Sequence, residues 1–250
     1  MRVPGAPDLS RRAGHLQELM DSPDCDHSAL MKTYRGFHLV NTVVAGWQLT
    51  YRRWLRPLMR PDGVTTVLDI GCGGGDLVRA MARRARRDGF PVQITGADPD
   101  ERARDFALRQ DNPQNVRFLQ AESSELVADG EQYDLVISNH LVHHLDDTAL
   151  QGVLADSEQL AARRAVHSDI HRSALAYRLF SLGTLPVYPG SFIRPDGLTS
   201  IRRSWTPGEL AQELPDGWQA VGQIPWRTLA VFTADGVQVG RSHGGHADAH

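Results

Sequence analysis

The sequence predicts an α/β fold: a mostly parallel, seven-stranded sheet with helices on both faces. Three observations carry this reading. From Val64 onward, short β-branched and apolar runs alternate with stretches of helical periodicity, the rhythm of stacked βαβ units. The first of those runs passes directly into a glycine-rich turn and a helical stretch, Val67 to Leu77. The chain has 250 residues, 41% hydrophobic and 23% charged, enough for one domain with a substantial core.

Taken in order, apolar and aromatic residues at helical spacing between Leu9 and Met59 predict an N-terminal helical cap over residues 1–62, closed by Pro57, Pro61 and the Asp62-Gly63 turn. Strands are predicted at Thr66–Ile70, Val92–Ala97, Val116–Leu119, Leu135–Ser138 and Ala165–Ser168. Helices are predicted near Asp76–Arg87, Glu101–Gln110 and Thr148–Ala162. Residues 172–205, rich in Tyr, Phe, Gly and Pro, interrupt the alternation for longer than an ordinary connection, so they read as a lid or substrate-binding insertion within a domain spanning 63–240. Thr206 and Pro207 are suited to cap and open a short helix. Trp218–Ile224 and Thr228–Phe232 read as an antiparallel pair completing the sheet, and 241–250 as a disordered tail.

Charge and cysteine usage narrow the functional classes. A net charge of −3 gives no general attraction to phosphate backbones, so no nucleic-acid partner is expected. The two cysteines, Cys25 and Cys72, form neither a disulfide framework nor a zinc ribbon. No apolar run reaches the ~20 residues of a membrane span, and no signal-peptide core follows Met1. The expectation is a cytoplasmic protein without a membrane span.

The most informative segment is Asp69-Ile70-Gly71-Cys72-Gly73-Gly74-Gly75-Asp76. A dinucleotide fingerprint needs glycine where Asp76 stands, and Asp69 and Asp76 would repel a pyrophosphate. A nucleoside without phosphate escapes that objection, and S-adenosylmethionine, with its sulfonium and ammonium, is one. Here the sequence resembles the class I S-adenosylmethionine-dependent methyltransferases, whose first motif places an acid before G-x-G-x-G, matched by Asp69, Gly71, Gly73 and Gly75. The resemblance implies a Rossmann-like class I methyltransferase fold, with S-adenosyl-L-methionine as cofactor and S-adenosyl-L-homocysteine as product. It implies cofactor contacts at Asp69, Gly71, Cys72, Gly73 and Gly75, and at Asp98-Pro99, where a carboxylate ending the second strand can accept from both ribose hydroxyls. An adenine-side contact maps onto Ala121-Glu122-Ser123, although the commoner Gly-Asp-Ala is absent there.

Tyr133 to Leu145 resembles the family's fourth motif, with the His-His-Leu that often follows it in small-molecule enzymes. The carboxyl end of this strand faces the crevice where open sheets bind ligands, so Asn139 and His140 are expected beside the cofactor. A phenol ionises near pH ~10, and a histidine of pKa ~6.5 can take its proton as the methyl moves. His143 and His144 are the leading candidates for that base, with His140 and Asp169 as further catalytic candidates. Packing of the loop explains the histidines equally well, and Asp169 also suits a polar strand end. No metal site is expected, because Leu141 occupies the Glu place of H-E-x-x-H.

Aromatic residues concentrate in the cap and the insertion, where an apolar roof would suit a flat acceptor. Trp47, Tyr51, Trp54, Tyr177 and Phe192 are the substrate-binding candidates, with Tyr188 in the same stretch and His171 at the strand end. Arg53 is a candidate for the cofactor carboxylate. Core packing and solvated helix charges are the alternative explanations for these groups. The whole pattern resembles bacterial methyltransferases acting on phenols, quinones or polyketide-derived rings, in secondary metabolism or quinone biosynthesis, by O- or C-methylation. A macromolecular methyltransferase and a non-catalytic cofactor-binding protein are the alternatives, and a homodimer is left open.

Overall fold

A computed structural model describes residues 7–43, 46–184 and 189–237; Tyr188 and the expected tail at 241–250 lie outside the described residues. The N-terminal segment contains one 3-10 turn, Leu19–Asp21, before helix α1 (His27–Val43) and the short α2 (Trp47–Thr50), which continues through an irregular turn to Leu58. There follow β1 (Thr65–Ile70), α3 (Asp76–Arg87), β2 (Val92–Ala97), α4 (Glu101–Leu108), β3 (Val116–Leu119), α5 (Ser123–Ala128), β4 (Tyr133–Asn139), α6 (Asp147–Leu160) and β5 (Ala161–Ile170). The chain closes with α7 (Ala174–Gly183), α8 (Ile193–Arg203), α9 (Pro207–Glu213), β6 (Trp218–Gln223) and β7 (Arg227–Thr233).

The seven strands lie in the order β3-β2-β1-β4-β5-β7-β6. β1 pairs in parallel with β2 and β4, while β7 runs antiparallel to β5 and β6. Because side chains alternate across a strand, Val67 and Leu68 face opposite sides of β1 and join different core clusters. Each is fully buried, a contribution of about 1.5–3 kcal/mol per side chain. The order reverses between β1 and β4, and the crevice at their carboxyl ends is where the topology places a ligand.

Two expectations change. The helix predicted through Ala162 ends at Leu160 and β5 starts at Ala161, four residues before the expected Ala165; from this added stretch Arg164 reaches Thr233 Oγ1 (3.1 Å) and the Trp54 carbonyl (2.9 Å). The 172–205 insertion is largely two packed helices. α8 presents Ile193, Asp196, Gly197, Ser200 and Ile201 to a cavity, the spacing of one helical face. A Cβ on Gly197 would lie 2.4 Å from Phe180, so glycine is what lets α7 and α8 approach. No helix of the described residues is long and apolar enough to cross a membrane.

Candidate active site

The glycine turn after β1 depends on left-handed backbone at Gly71, Gly73 and Gly75 (φ 67°, 51° and 75°). At Gly75 a Cβ would also lie 2.4 Å from Phe118, so the loop cannot carry a side chain there. The turn is held against β2, since Gly71 N–H and Cys72 N–H both donate to the Ala97 carbonyl. Asp98 is fixed in the same way: Oδ2 accepts from Gly73 N–H (2.8 Å) and Oδ1 from Asp100 N–H (2.9 Å). Burial raises its pKa despite those two bonds.

Asp69 is 1% exposed, and its Oδ1 has no hydrogen-bond partner among the described residues. Burial, Asp76 and Asp98 push its pKa well above the usual carboxylate range. Three acids around one loop, one of them with an orphaned buried oxygen, favour a cationic ligand and oppose a phosphate.

The loop opens into a cavity of about 660 Å³, within the range of small-molecule sites. Asp69, Gly71, Cys72, Gly73, Asp98 and Pro99 line one wall. Asn139, His140, His143 and His144 line another, and Tyr34, Phe37, Phe180 and Phe192 are among its apolar residues. The segment Glu18 to Asp21 covers part of it, tied to α8 where Asp196 accepts from Leu19 and Met20 N–H (2.8 and 3.0 Å).

His143, 1% exposed, stands between two carboxylates: Nδ1 is 2.8 Å from Asp169 and Nε2 is 3.1 Å from Glu18. Burial alone would lower its pKa, but Asp169 and Glu18 outweigh it and hold the imidazolium to about 9. Asp169 in turn stays far below the usual range: burial opposes ionisation, and His143 more than compensates. This corrects the expectation of a base at His143, because a ring protonated at neutral pH and donating from both nitrogens has no lone pair to accept with. His144 is also engaged, with Nδ1 3.1 Å from Asp21 and Nε2 3.7 Å from Glu18. His143 belongs to both His/acid groupings compact enough to face a cation, Glu18-His143-His144 and His140-His143-Asp169.

His140 differs. It adopts left-handed backbone (φ 59°), uncommon for a non-glycine and a mark of a functionally constrained position. Burial and Arg227 drive its pKa well below the ordinary histidine value, so it is a neutral ring at the cavity wall.

The remaining expected residues lie elsewhere. Trp47 and Tyr51 pack into the core with Leu77 and Met81 and line a smaller neighbouring groove of about 240 Å³. Trp54 packs against that core under the guanidinium groups of Arg53 and Arg164, and Arg53 itself is exposed. Tyr177 lies off the face of α7 that lines the cavity, which carries Ala176, Leu179, Phe180 and Gly183. His171 donates its N–H to the Trp226 carbonyl and does not line the cavity. Ala121 packs in the core, Glu122 N–H is capped by Glu125 (2.7 Å), and Ser123 Oγ donates to Asp156 (2.6 Å). Their side chains are spent on local structure. Glu18 and Arg227, both on the cavity wall, went unnoticed in the sequence; only the Pro225-Trp226 break between two apolar runs hinted at the second.

Fold and glycine loop agree with the comparisons. Residues 67–163 match a family described as a methyltransferase domain. The chain is 27% identical over 152 residues to the ubiquinone biosynthesis O-methyltransferase of Acinetobacter baumannii, a match covering 59% of this chain and 60% of that relative. Among solved structures, human N-acetylserotonin methyltransferase bound to S-adenosylmethionine superposes with a TM-score of 0.55 at 14% identity, covering 80% of this chain and 54% of that one. The plantazolicin methyltransferase BpumL, bound to a triazolic desmethyl analogue and S-adenosylhomocysteine, gives 0.52 at 15% identity, covering 80% and 84%. Residues 67–163 thus form a methyltransferase domain, and the sheet around them has the Rossmann-like fold of the class I S-adenosylmethionine-dependent methyltransferases.

Proposed function

We propose that this chain transfers a methyl group from S-adenosylmethionine to a small hydroxylated aromatic, quinone-like or polyketide-derived acceptor, in secondary metabolism or quinone biosynthesis. The observation that carries this reading is one continuous cavity joining the acidic glycine loop to a wall of Phe37, Phe180, Phe192 and Ile201. The covering by α7, α8 and the Glu18–Asp21 segment favours a small acceptor over a macromolecular one. The name of the Acinetobacter relative, an O-methyltransferase of ubiquinone biosynthesis, is consistent with a quinone-like acceptor.

The chain's own residues divide the work. Asp98, fixed by two backbone N–H groups, is oriented to accept from ribose hydroxyls. Asp69, with its free buried oxygen and raised pKa, ionises when a cationic methionine moiety comes beside it. When bound, the cofactor supplies an electrophilic methyl on a sulfonium. The rest is positioning: apolar side chains exclude water and hold the acceptor in line, which is where most of the rate of such a displacement arises. The His143 imidazolium, locked between Asp169 and Glu18, fixes the covering segment on the sheet edge.

The experiment is incubation with S-adenosylmethionine carrying a deuterated methyl, against a panel of phenols and hydroxyquinones, read by mass spectrometry. Transfer of the labelled methyl to a small acceptor is expected. Labelling of RNA or protein with none of the panel would contradict the proposal.

A further inference from the structure

Arg227 is the largest fully buried side chain of the described residues, 1% exposed, at the start of β7 opposite Ile170 of β5. Nη2 donates to Asn139 Oδ1 (2.7 Å) and Ser168 Oγ (3.0 Å), and Nε donates to Ser168 Oγ (3.3 Å). Nη1 has one partner, His140 Nε2, at 3.5 Å, the limit of a hydrogen bond. No carboxylate of the described residues forms an ion pair with Arg227. The nearest acid, Asp169, is committed to His143 N–H, His143 Nδ1 and Ile170 N–H. A buried charge is costly unless paired, so a guanidinium with a spare edge on a cavity wall marks the place of an anion.

We propose that Arg227 receives the acceptor's ionised oxygen, so that the substrate is bound as a phenolate or enolate. The inference rests on the methyl-transfer reading and adds the acceptor's charge state. Its position supports the assignment. The acids Asp69, Asp76 and Asp98 lie at or just beyond the carboxyl ends of β1 and β2, whereas Arg227 lies two strands beyond β4, on the far side of the crevice. At about 4.8 Å per strand, roughly 19 Å of sheet separates the ends of β2 and β7. The neighbouring backbone is constrained to match, since Trp226 and His140 both adopt left-handed φ (43° and 59°) beside the guanidinium.

The charges around Arg227 agree. His140 from the end of β4 is neutral, while His143 from the following turn is cationic between Asp169 of β5 and Glu18 of the N-terminal segment, a trio with one negative charge in excess whose Asp169 favours the charged form of Arg227. Burial lowers the pKa of Arg227 itself, only to about 10, so it stays charged at neutral pH. In the step this implies, the acceptor's O–H proton leaves to solvent on binding. The oxygen lone pair, or the ring carbon conjugated to it, then forms the new bond to methyl. The S–CH3 bond breaks with its electron pair left on sulfur, and the phenolate and sulfonium charges cancel. Where the ring carbon is the nucleophile, its C–H proton then passes to solvent and the oxygen is left as phenolate.

The test uses para-nitrophenol and its alkyl derivatives, whose ionised forms absorb visible light, with the full chain in the presence and absence of S-adenosylhomocysteine. Bound probe should ionise about one unit or more below its free pKa in the unmodified protein. Arg227→Lys should keep most of that shift and Arg227→Met should abolish it, with S-adenosylhomocysteine affinity held within about twofold. Probe that binds with an unshifted or raised pKa overturns the proposal, as does failure of the probe to bind. So does a loss of S-adenosylhomocysteine affinity in Arg227→Met with the probe unaffected, because the anion would then be the cofactor's carboxylate. Should Arg227→Met not fold, the unmodified protein and Arg227→Lys decide. Absence of S-adenosylhomocysteine binding to the unmodified protein would remove the methyl-transfer reading, and the probe titration would still decide the role of Arg227.

Discussion

Asp69 and Asp169 are both carboxylates buried toward the carboxyl end of a sheet strand, 1% and 3% exposed, yet their surroundings are opposite. Asp169 accepts from His143 N–H, from His143 Nδ1 and from Ile170 N–H, at 2.7, 2.8 and 2.6 Å, and is held strongly ionised. Asp69 keeps an oxygen without a partner and faces two further acids. The histidine wall thus completes its charges from within the chain, and on the glycine-loop wall Asp69 leaves one oxygen for a ligand. Arg227 is the one group on the first wall that follows the rule of the second. Buried charge that is already paired belongs to the architecture; buried charge left open points to what binds.

The contrast can be broken most forcefully at Asp169. Asp169→Asn removes a charged acceptor of three hydrogen bonds while Glu18 still faces the His143 cation, which should lower unfolding free energy in urea by about 1.5–3 kcal/mol. An unchanged midpoint would mean that the pair contributes nothing. The same pair sets a pH dependence. His143 is raised to about 9 in the folded chain, above its ordinary ~6.5, so its stabilisation is complete below pH ~6.5 and lost as pH rises through about 9. The thermal midpoint should therefore fall across that window, and Asp169→Asn should flatten the fall.

At the other wall the effect should appear in binding. Asp98→Ala removes the ribose acceptor, and calorimetry should show S-adenosylhomocysteine affinity reduced by about 1.5–3 kcal/mol, the scale of hydrogen bonds to a charged group. Full affinity would place the ribose elsewhere. The smallest and sharpest change is Asp69→Asn, which relieves repulsion among three acids. Stability should rise by about 0.5–2 kcal/mol while S-adenosylmethionine affinity falls, the trade expected of a group kept for function. A loss of stability instead would move Asp69 into the same category as Asp169.

Much of this was legible in the sequence because it is local. Strand, glycine turn and helix around Asp69 to Asp76 are contiguous, and Asp98 follows by one helix and one strand, so pattern and spacing suffice. Glu18 meets His143 across 125 positions, and Arg227 meets Asn139 across 88, in pairings that no periodicity encodes. Arg227 also hides in a chain where Lys32 is the one lysine among 27 basic residues, so arginine identity carries little signal. The aromatic stripe of Trp47, Tyr51 and Trp54 misled for a related reason: helical spacing shows that a face is buried, and here the burying surface is α3. The histidines line the cavity, but their charge depends on Glu18 and Asp169, which only the fold brings to them.

The central claim is that the acids around the glycine loop select a cationic nucleoside over a phosphate-bearing one. Competitive calorimetry of the full chain with S-adenosylmethionine and NADP tests it directly. Saturation of one site by S-adenosylmethionine, undisturbed by excess NADP, is the predicted result; one-to-one binding of NADP that displaces the methyl donor would contradict it.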